Sequence, residues 1–177
     1  MTNWNCRESD PHDHGRWISS AVREYEGALV RYATQITGDL DRGRDVAQDT
    51  FLRLCKQDPQ ELDGRLVQWL FAVCRNRALD IRRKEDRMKT MTQDQAAAQS
   101  DAGMGIDKVE QQETVDQVSH FIDGLSENQR DVVRLKFQNG LSYKEISAIT
   151  ELSVTNVGYL IHTAIKSLRR DLQVDCN

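Results

Sequence analysis

Three groups of residues in this 177-residue chain have side-chain types and spacing that could do chemistry. Asp45, Gln48 and Asp49 recur at spacings of three and four, which on a helix places them on one face, opposite Phe51 and Leu54. Such a face can be a solvated surface, a carboxylate pair for catalysis or metal binding, or a contact for a partner. The pair is the weakest of these, because no His or third acid lies near it in sequence. The second group is basic. Residues 65–89 carry a net charge of +5 inside a chain whose net charge is −4, and they include Arg75, Asn76, Arg82 and Arg83. Phosphates suit Arg and Lys, whereas a base edge suits an amide or guanidinium that can pair with it. Asn76 is a poor helix former with no capping task, so it is either a satisfied amide or a reader of bases. The third group, Thr155, Asn156, Tyr159, His162 and Lys166, lies on the polar face of a long C-terminal helix, with Arg169 and Arg170 near its end.

Other chemistry finds little support. Cys6 with His12 and His14 could hold a metal, but the spacing matches no zinc module. The four cysteines are far apart and form no CxxC pair, as expected for reduced thiols. Cys55 and Cys74 are expected to act as small buried hydrophobes, and Trp69 is expected in the core beside Leu70 and Val73. No nucleophile–base set or phosphate-binding loop is present, so neither enzymatic activity, a cofactor nor a small-molecule substrate is expected. No apolar run approaches the ~18–20 residues of a membrane span. The first sixteen residues are polar and acidic, unlike a secretory or transit peptide, so a cytoplasmic protein without membrane insertion is expected.

Helices must position these groups. Only 10 Gly and 2 Pro are too few to punctuate an all-β fold. Apolar residues from Trp17 to Ile36 follow helical spacing up to Gly38. A second helix is expected from about Asp45 to Cys55 and a third from Leu66 into Arg82-Arg83-Lys84. From about Met88 the composition turns to Gln, Ala, Ser, Asp and Gly, which predicts a linker. Helical periodicity resumes at Val109. Ser126…Gln129 and Ser142…Glu145 fit the capping box. A short helix after Ser142, a turn at Thr150-Glu151-Leu152 and a long helix capped by Ser153 predict a helix-turn-helix. The expected fold is all-α, two small helical domains joined by a flexible linker. The boundaries are a disordered tail at 1–16, a first domain at 17–88, an acidic linker at 89–108 and a helix-turn-helix domain at 109–177.

These segments resemble the extracytoplasmic-function (ECF) group of the sigma-70 family of bacterial RNA polymerase sigma factors. Asp45-Val-Ala-Gln48-Asp49-Thr-Phe51-Leu-Arg-Leu54 is similar to the D-x-x-Q-E-x-F-L-R-L run of region 2.2. Trp69-Leu-Phe-Ala-Val-Cys-Arg75-Asn76-Arg-Ala-Leu-Asp80-Ile-Arg82-Arg83 is similar to regions 2.3 and 2.4. Leu125-Ser-Glu-Asn-Gln-Arg130 and Gly140-Leu-Ser-Tyr143-Lys-Glu145-Ile146 are similar to region 4. The resemblance implies a dissociable subunit that gives RNA polymerase promoter specificity and helps open the promoter. It implies that Asp45, Gln48 and Asp49 dock on core polymerase and that Arg75, Asn76, Arg82 and Arg83 engage the minus-ten element, with Asn76 at a flipped base. It also implies that Thr155, Asn156, Tyr159, His162 and Lys166 read the minus-thirty-five element, and that an anti-sigma factor is a further partner.

The chain departs from the family in the recognition helix, where Gly158, Leu160 and Thr163 stand at positions that are often basic. Fewer phosphate contacts should weaken the salt-dependent part of binding there. The rival readings are a self-sufficient helix-turn-helix regulator, which would need a dimerisation seam, and a sigma-like decoy that acts without core-dependent initiation.

Overall fold

The computed structural model describes residues 11–92, 122 and 124–174, and among them there is helix and no strand. The chain divides into two units, Met1–Ala97 and Ala98–Asn177. Residues 1–10, most of the expected linker and the periodic stretch at 109–121 lie outside the described residues.

The first unit is built from α1 (Pro11–Thr37), α2 (Leu40–Leu54) and α3 (Leu66–Thr92). Pro11 opens α1 where its missing N–H costs nothing and its φ already suits a helix. The helix therefore starts six residues before Trp17, inside the segment expected as tail. It stops at Gly38, whose φ of +76° favours glycine, and the Gly38 amide closes on the Thr34 carbonyl at 2.8 Å. Asp39 then caps α2, its carboxylate accepting from the Arg42 amide at 2.8 Å. This cap starts α2 at Leu40, not Asp45, despite the glycine at 43. α3 passes the expected boundary at 88, because Lys84, Glu85, Arg87 and Met88 are all good helix formers.

The seams between these helices hold the core of the unit. Tyr32 of α1 meets Phe71 of α3 edge to face, with ring centroids 5.5 Å apart. Leu29, Ala33, Val46, Ala47, Leu54, Leu70, Cys74 and Ala78 are all buried. Thr50, also fully buried, donates its hydroxyl to its own helix at the Val46 carbonyl, 2.8 Å away. Where α1 and α2 approach most closely, a Cβ on Gly43 would lie 2.9 Å from the Thr34 backbone N. Only glycine allows that approach.

The second unit contains α4 (Glu127–Val133), α5 (Tyr143–Thr150) and α6 (Val154–Val174). Both expected capping boxes form, Ser126 with Gln129 and Ser142 with Glu145. α4 runs into a π-helical stretch, Arg134–Gln138, which the apolar spacing does not foretell. Leu125, Val132, Leu135, Leu141, Ile146, Ile149, Val157, Ile161 and Ala164 form the core. α5 and α6 meet at Glu151, whose φ of +61° turns the chain tightly enough for a helix-turn-helix.

Candidate functional site

The residues of α2 expected to dock on polymerase separate into two parts. Asp45 and Gln48 are exposed. Asp49 is half-buried: its Oδ2 lies 3.0 Å from Arg53 Nη2 and 3.4 Å from Arg77 Nε of α3. That oxygen is shielded from solvent and has no aligned hydrogen bond, so the attraction is coulombic. The α2 face also presents Leu52, four residues after Gln48 and 65% exposed. Its place in the helical register beside Gln48 makes Leu52 outward-facing.

On α3 the basic group forms two adjacent stripes. Arg75 and Arg82 are half-buried and seven residues apart, while Asn76 and Arg83 are exposed with the same separation. Arg83 stands 3.9 Å from Asp80, a loose surface pair that leaves the guanidinium accessible. Trp69 corrects an expectation. It is half-buried, and the register places it on one stripe with Val73, Asn76 and Asp80. An aromatic face thus continues the line of the Asn76 amide.

Both thiols described are free, with opposite surroundings. Cys74 is buried and its Sγ donates to the Leu29 carbonyl at 3.7 Å; burial pushes its pKa up to about 12, against a smaller lowering by Thr50. Cys55 is exposed at the C-cap of α2, contrary to the buried role expected for it. His14 Nε2 lies 3.3 Å from the Cys55 carbonyl, and the His14 ring is 5.6 Å from that of Trp17. Cys6 and the His12 side chain lie outside the described residues, and no group of three potential metal ligands occurs among those described.

On α6, Thr155, Asn156, Tyr159, His162 and Lys166 are all exposed. Thr155, Tyr159, His162 and Lys166 follow helical spacing along one stripe, and Asn156 lies beside it. Ser153 caps the helix by accepting from the Asn156 amide at 3.2 Å, which leaves the Asn156 side chain for other contacts. Thr163 donates to the Tyr159 carbonyl at 2.8 Å and so contributes nothing basic or outward. Gly158 faces the Tyr143 ring: a Cβ there would be 3.6 Å from Tyr143 Cε2. Lys136 Nζ sits 5.5 Å from the centroid of the same ring and donates to the Leu141 carbonyl at 3.2 Å. Glu145 accepts from the Ser142 backbone N–H at 2.7 Å. Hydrogen bonds from Ser142, with a smaller contribution from Lys136, hold its carboxyl below the usual carboxylate range.

A three-helix unit carries a basic, aromatic-edged helix, and a helix-turn-helix unit follows it in the chain. Residues 21–88 match the sigma-70 region 2 family model, and residues 116–168 match the sigma-70 region 4 model. The two matches together cover more than half of the chain. The chain belongs to the sigma-70 family, within its ECF group. It is 27% identical over 158 residues to the ECF RNA polymerase sigma factor SigM of Bacillus subtilis, spanning 86% of this chain and 93% of that protein. It is 29% identical over 163 residues to the ECF sigma factor SigL of Mycobacterium tuberculosis, spanning 85% of each. The fold is also that of the sigma factor RpoE solved with the anti-sigma factor NepR from Bartonella quintana. That match has a TM-score of 0.67 at 24% identity and covers 89% of this chain and 97% of the other. CnrH, solved with the cytosolic domain of CnrY, aligns with a TM-score of 0.62 at 24% identity over 91% of this chain and 90% of the other.

Proposed function

We propose that this sigma factor binds core RNA polymerase through the exposed α2 face and opens promoters with α3. The α5–α6 helix-turn-helix reads the upstream element in this reading. The single observation carrying it is the occurrence, in one chain and in family order, of both sigma regions with these faces exposed. Asp45 and Gln48, with Leu52 as an apolar neighbour, make the docking contact, and Asp49 stands behind them. Asn76 offers an amide to a base held out of the duplex, where unstacking costs a few kcal/mol, and Trp69 lies on its stripe. Arg75, Arg82 and Arg83 hold the distorted backbone by its phosphates. Upstream, Asn156, Tyr159 and His162 face bases beside Thr155, and Lys166 contacts a phosphate.

The protein is a regulator that works in the cytoplasm, and the polymerase supplies the chemistry. No described helix is long and apolar enough to cross a membrane. An anti-sigma factor is the expected antagonist, in keeping with the solved complex of RpoE with NepR.

The test is transcription in vitro with core enzyme on a genomic library, with permanganate mapping of unpaired thymines. Asn76→Ala should preserve closed complexes and reduce open ones, with loss of preference at one minus-ten base. Lys166→Ala should weaken upstream binding equally on all sequences and lower the salt slope by about one. Core binding without any promoter opening by the wild-type protein would make it a decoy instead.

A further inference from the structure

α2 and α3 are tied by two charged rungs that run in opposite senses along the two helices. Arg42 pairs with Glu85, and Asp49 pairs with Arg77 at 3.4 Å. Positions 42 and 49 are two turns apart on α2, and 77 and 85 slightly more than two turns apart on α3. The buried side chains of α3 set its packing against α1 and α2, and two rungs separated along both helices restrain its rotation further at the solvent edge. The rotation matters because Arg77 is the sequence neighbour of Asn76, so the rung that holds Arg77 also restrains the direction of the Asn76 amide.

Asp49 is poorly placed to meet a partner with both oxygens. Its Oδ2 is shielded from solvent and lies between the guanidinium groups of Arg53 and Arg77, whereas Asp45 and Gln48 stand exposed on the same helix. We infer that Asp49 is a positioning residue: through Arg77 it restrains the rotation of α3, and so aligns Asn76 for promoter opening, while Asp45 and Gln48 make the contact with polymerase. This inference rests on the docking face proposed above, and it divides the labour within that face.

The experiment uses the full-length protein assembled with core enzyme. Two quantities are read for each variant: affinity for core, and the rate of open-complex formation at saturating holoenzyme. Asp49→Asn and Arg77→Gln should each leave core affinity within about twofold and slow opening about fivefold. The double variant should open no more slowly than the slower single one, since both changes break the same contact. Asp49→Glu, which keeps the charge, should restore most of the rate; a loss due only to destabilisation would follow the melting temperature instead. Asp45→Ala should show the opposite pattern, about tenfold weaker core binding with a normal opening rate at saturation. The inference is overturned if Asp49→Asn weakens core binding as Asp45→Ala does while Arg77→Gln does not. It is equally overturned if the two single effects on opening multiply, or if both variants open promoters at the wild-type rate. Normal core binding by Asp45→Ala would remove the docking assignment instead, and the coupling of Asp49 to Arg77 is measured separately from it.

Discussion

Gly43→Ala should destabilise the first unit although alanine is the better helix former. At this position the new Cβ would lie 2.1 Å from Thr34 Oγ1, 2.9 Å from the Thr34 N and 3.1 Å from its Cα. The hydroxyl can swing aside, but the backbone atoms move only if α1 and α2 separate by several tenths of an ångström. That separation would loosen a seam in which Leu29, Ala33, Val46 and Ala47 are buried. Overpacking against backbone atoms falls in the upper part of its range, about 2–3 kcal/mol, against a helix-propensity gain of about 1 kcal/mol. A net loss of about 1–2 kcal/mol follows, which for a domain of this size lowers the melting temperature by about 5–15 °C. The three tryptophans, Trp4, Trp17 and Trp69, all lie within Met1–Ala97, so tryptophan fluorescence in a urea titration of the whole chain follows this unit. Adding Thr34→Ala should recover only part of the loss, because two of the three close atoms are backbone. A Gly43→Ala protein as stable as the parent would refute the close approach.

Gly158→Ala should have the opposite sign. Its Cβ would meet Tyr143 at an ordinary 3.6 Å, so the second unit should gain about 0.5–1 kcal/mol, seen by circular dichroism during thermal melting. Glu145 gives the second unit an acid limit. Its folded pKa is held below the ordinary carboxylate value, so its contribution is complete above that ordinary value and is lost as pH falls through the lower folded pKa. Ser142→Ala should reduce this acid sensitivity, since only the backbone hydrogen bond to Glu145 remains, and should cost about 1 kcal/mol of cap stability, measured by acid titration of the helical signal. Thiol labelling followed by mass spectrometry should modify Cys55 at once and Cys74 only after denaturant is added, because the thiolate is the reactive species and Cys74 is buried with its pKa pushed up to about 12.

Local signals in the sequence carried much of this architecture. Gly38, Ser126, Ser142 and Ser153 each mark a helix end with residues a few positions apart, and each takes the expected place. The polar stripe on α6 was legible for the same reason, since helical spacing alone brings Thr155, Tyr159, His162 and Lys166 together. Features that depend on a second helix were hidden. The need for glycine at 43 comes from Thr34 of α1, nine positions away. Asp49 matched a docking motif, but its partner Arg77 is 28 positions away, and no spacing rule connects them. Cys55 and Trp69 had apolar neighbours in sequence, yet where each faces depends on how α2 ends and on what covers the start of α3. The π-helical stretch at Arg134–Gln138 leaves no mark in the apolar spacing.

The short Gly38-Asp39 break between α1 and α2 bears on how the chain comes into being. Contacts across such a break are local in sequence, and helical domains dominated by local contacts fold in microseconds to milliseconds. Synthesis proceeds at about 5–20 residues per second, so Thr92 at the end of α3 follows Leu54 by about 2–8 s. During that interval the α1–α2 hairpin, with Asp45 and Gln48 already on it, has time to form many times over. Its apolar seam at Leu29, Tyr32 and Val46 waits for Phe71 and Cys74 to arrive. The newborn protein therefore passes through a stage that carries α2 but not yet α3, with an apolar groove open to whatever chaperone meets it first.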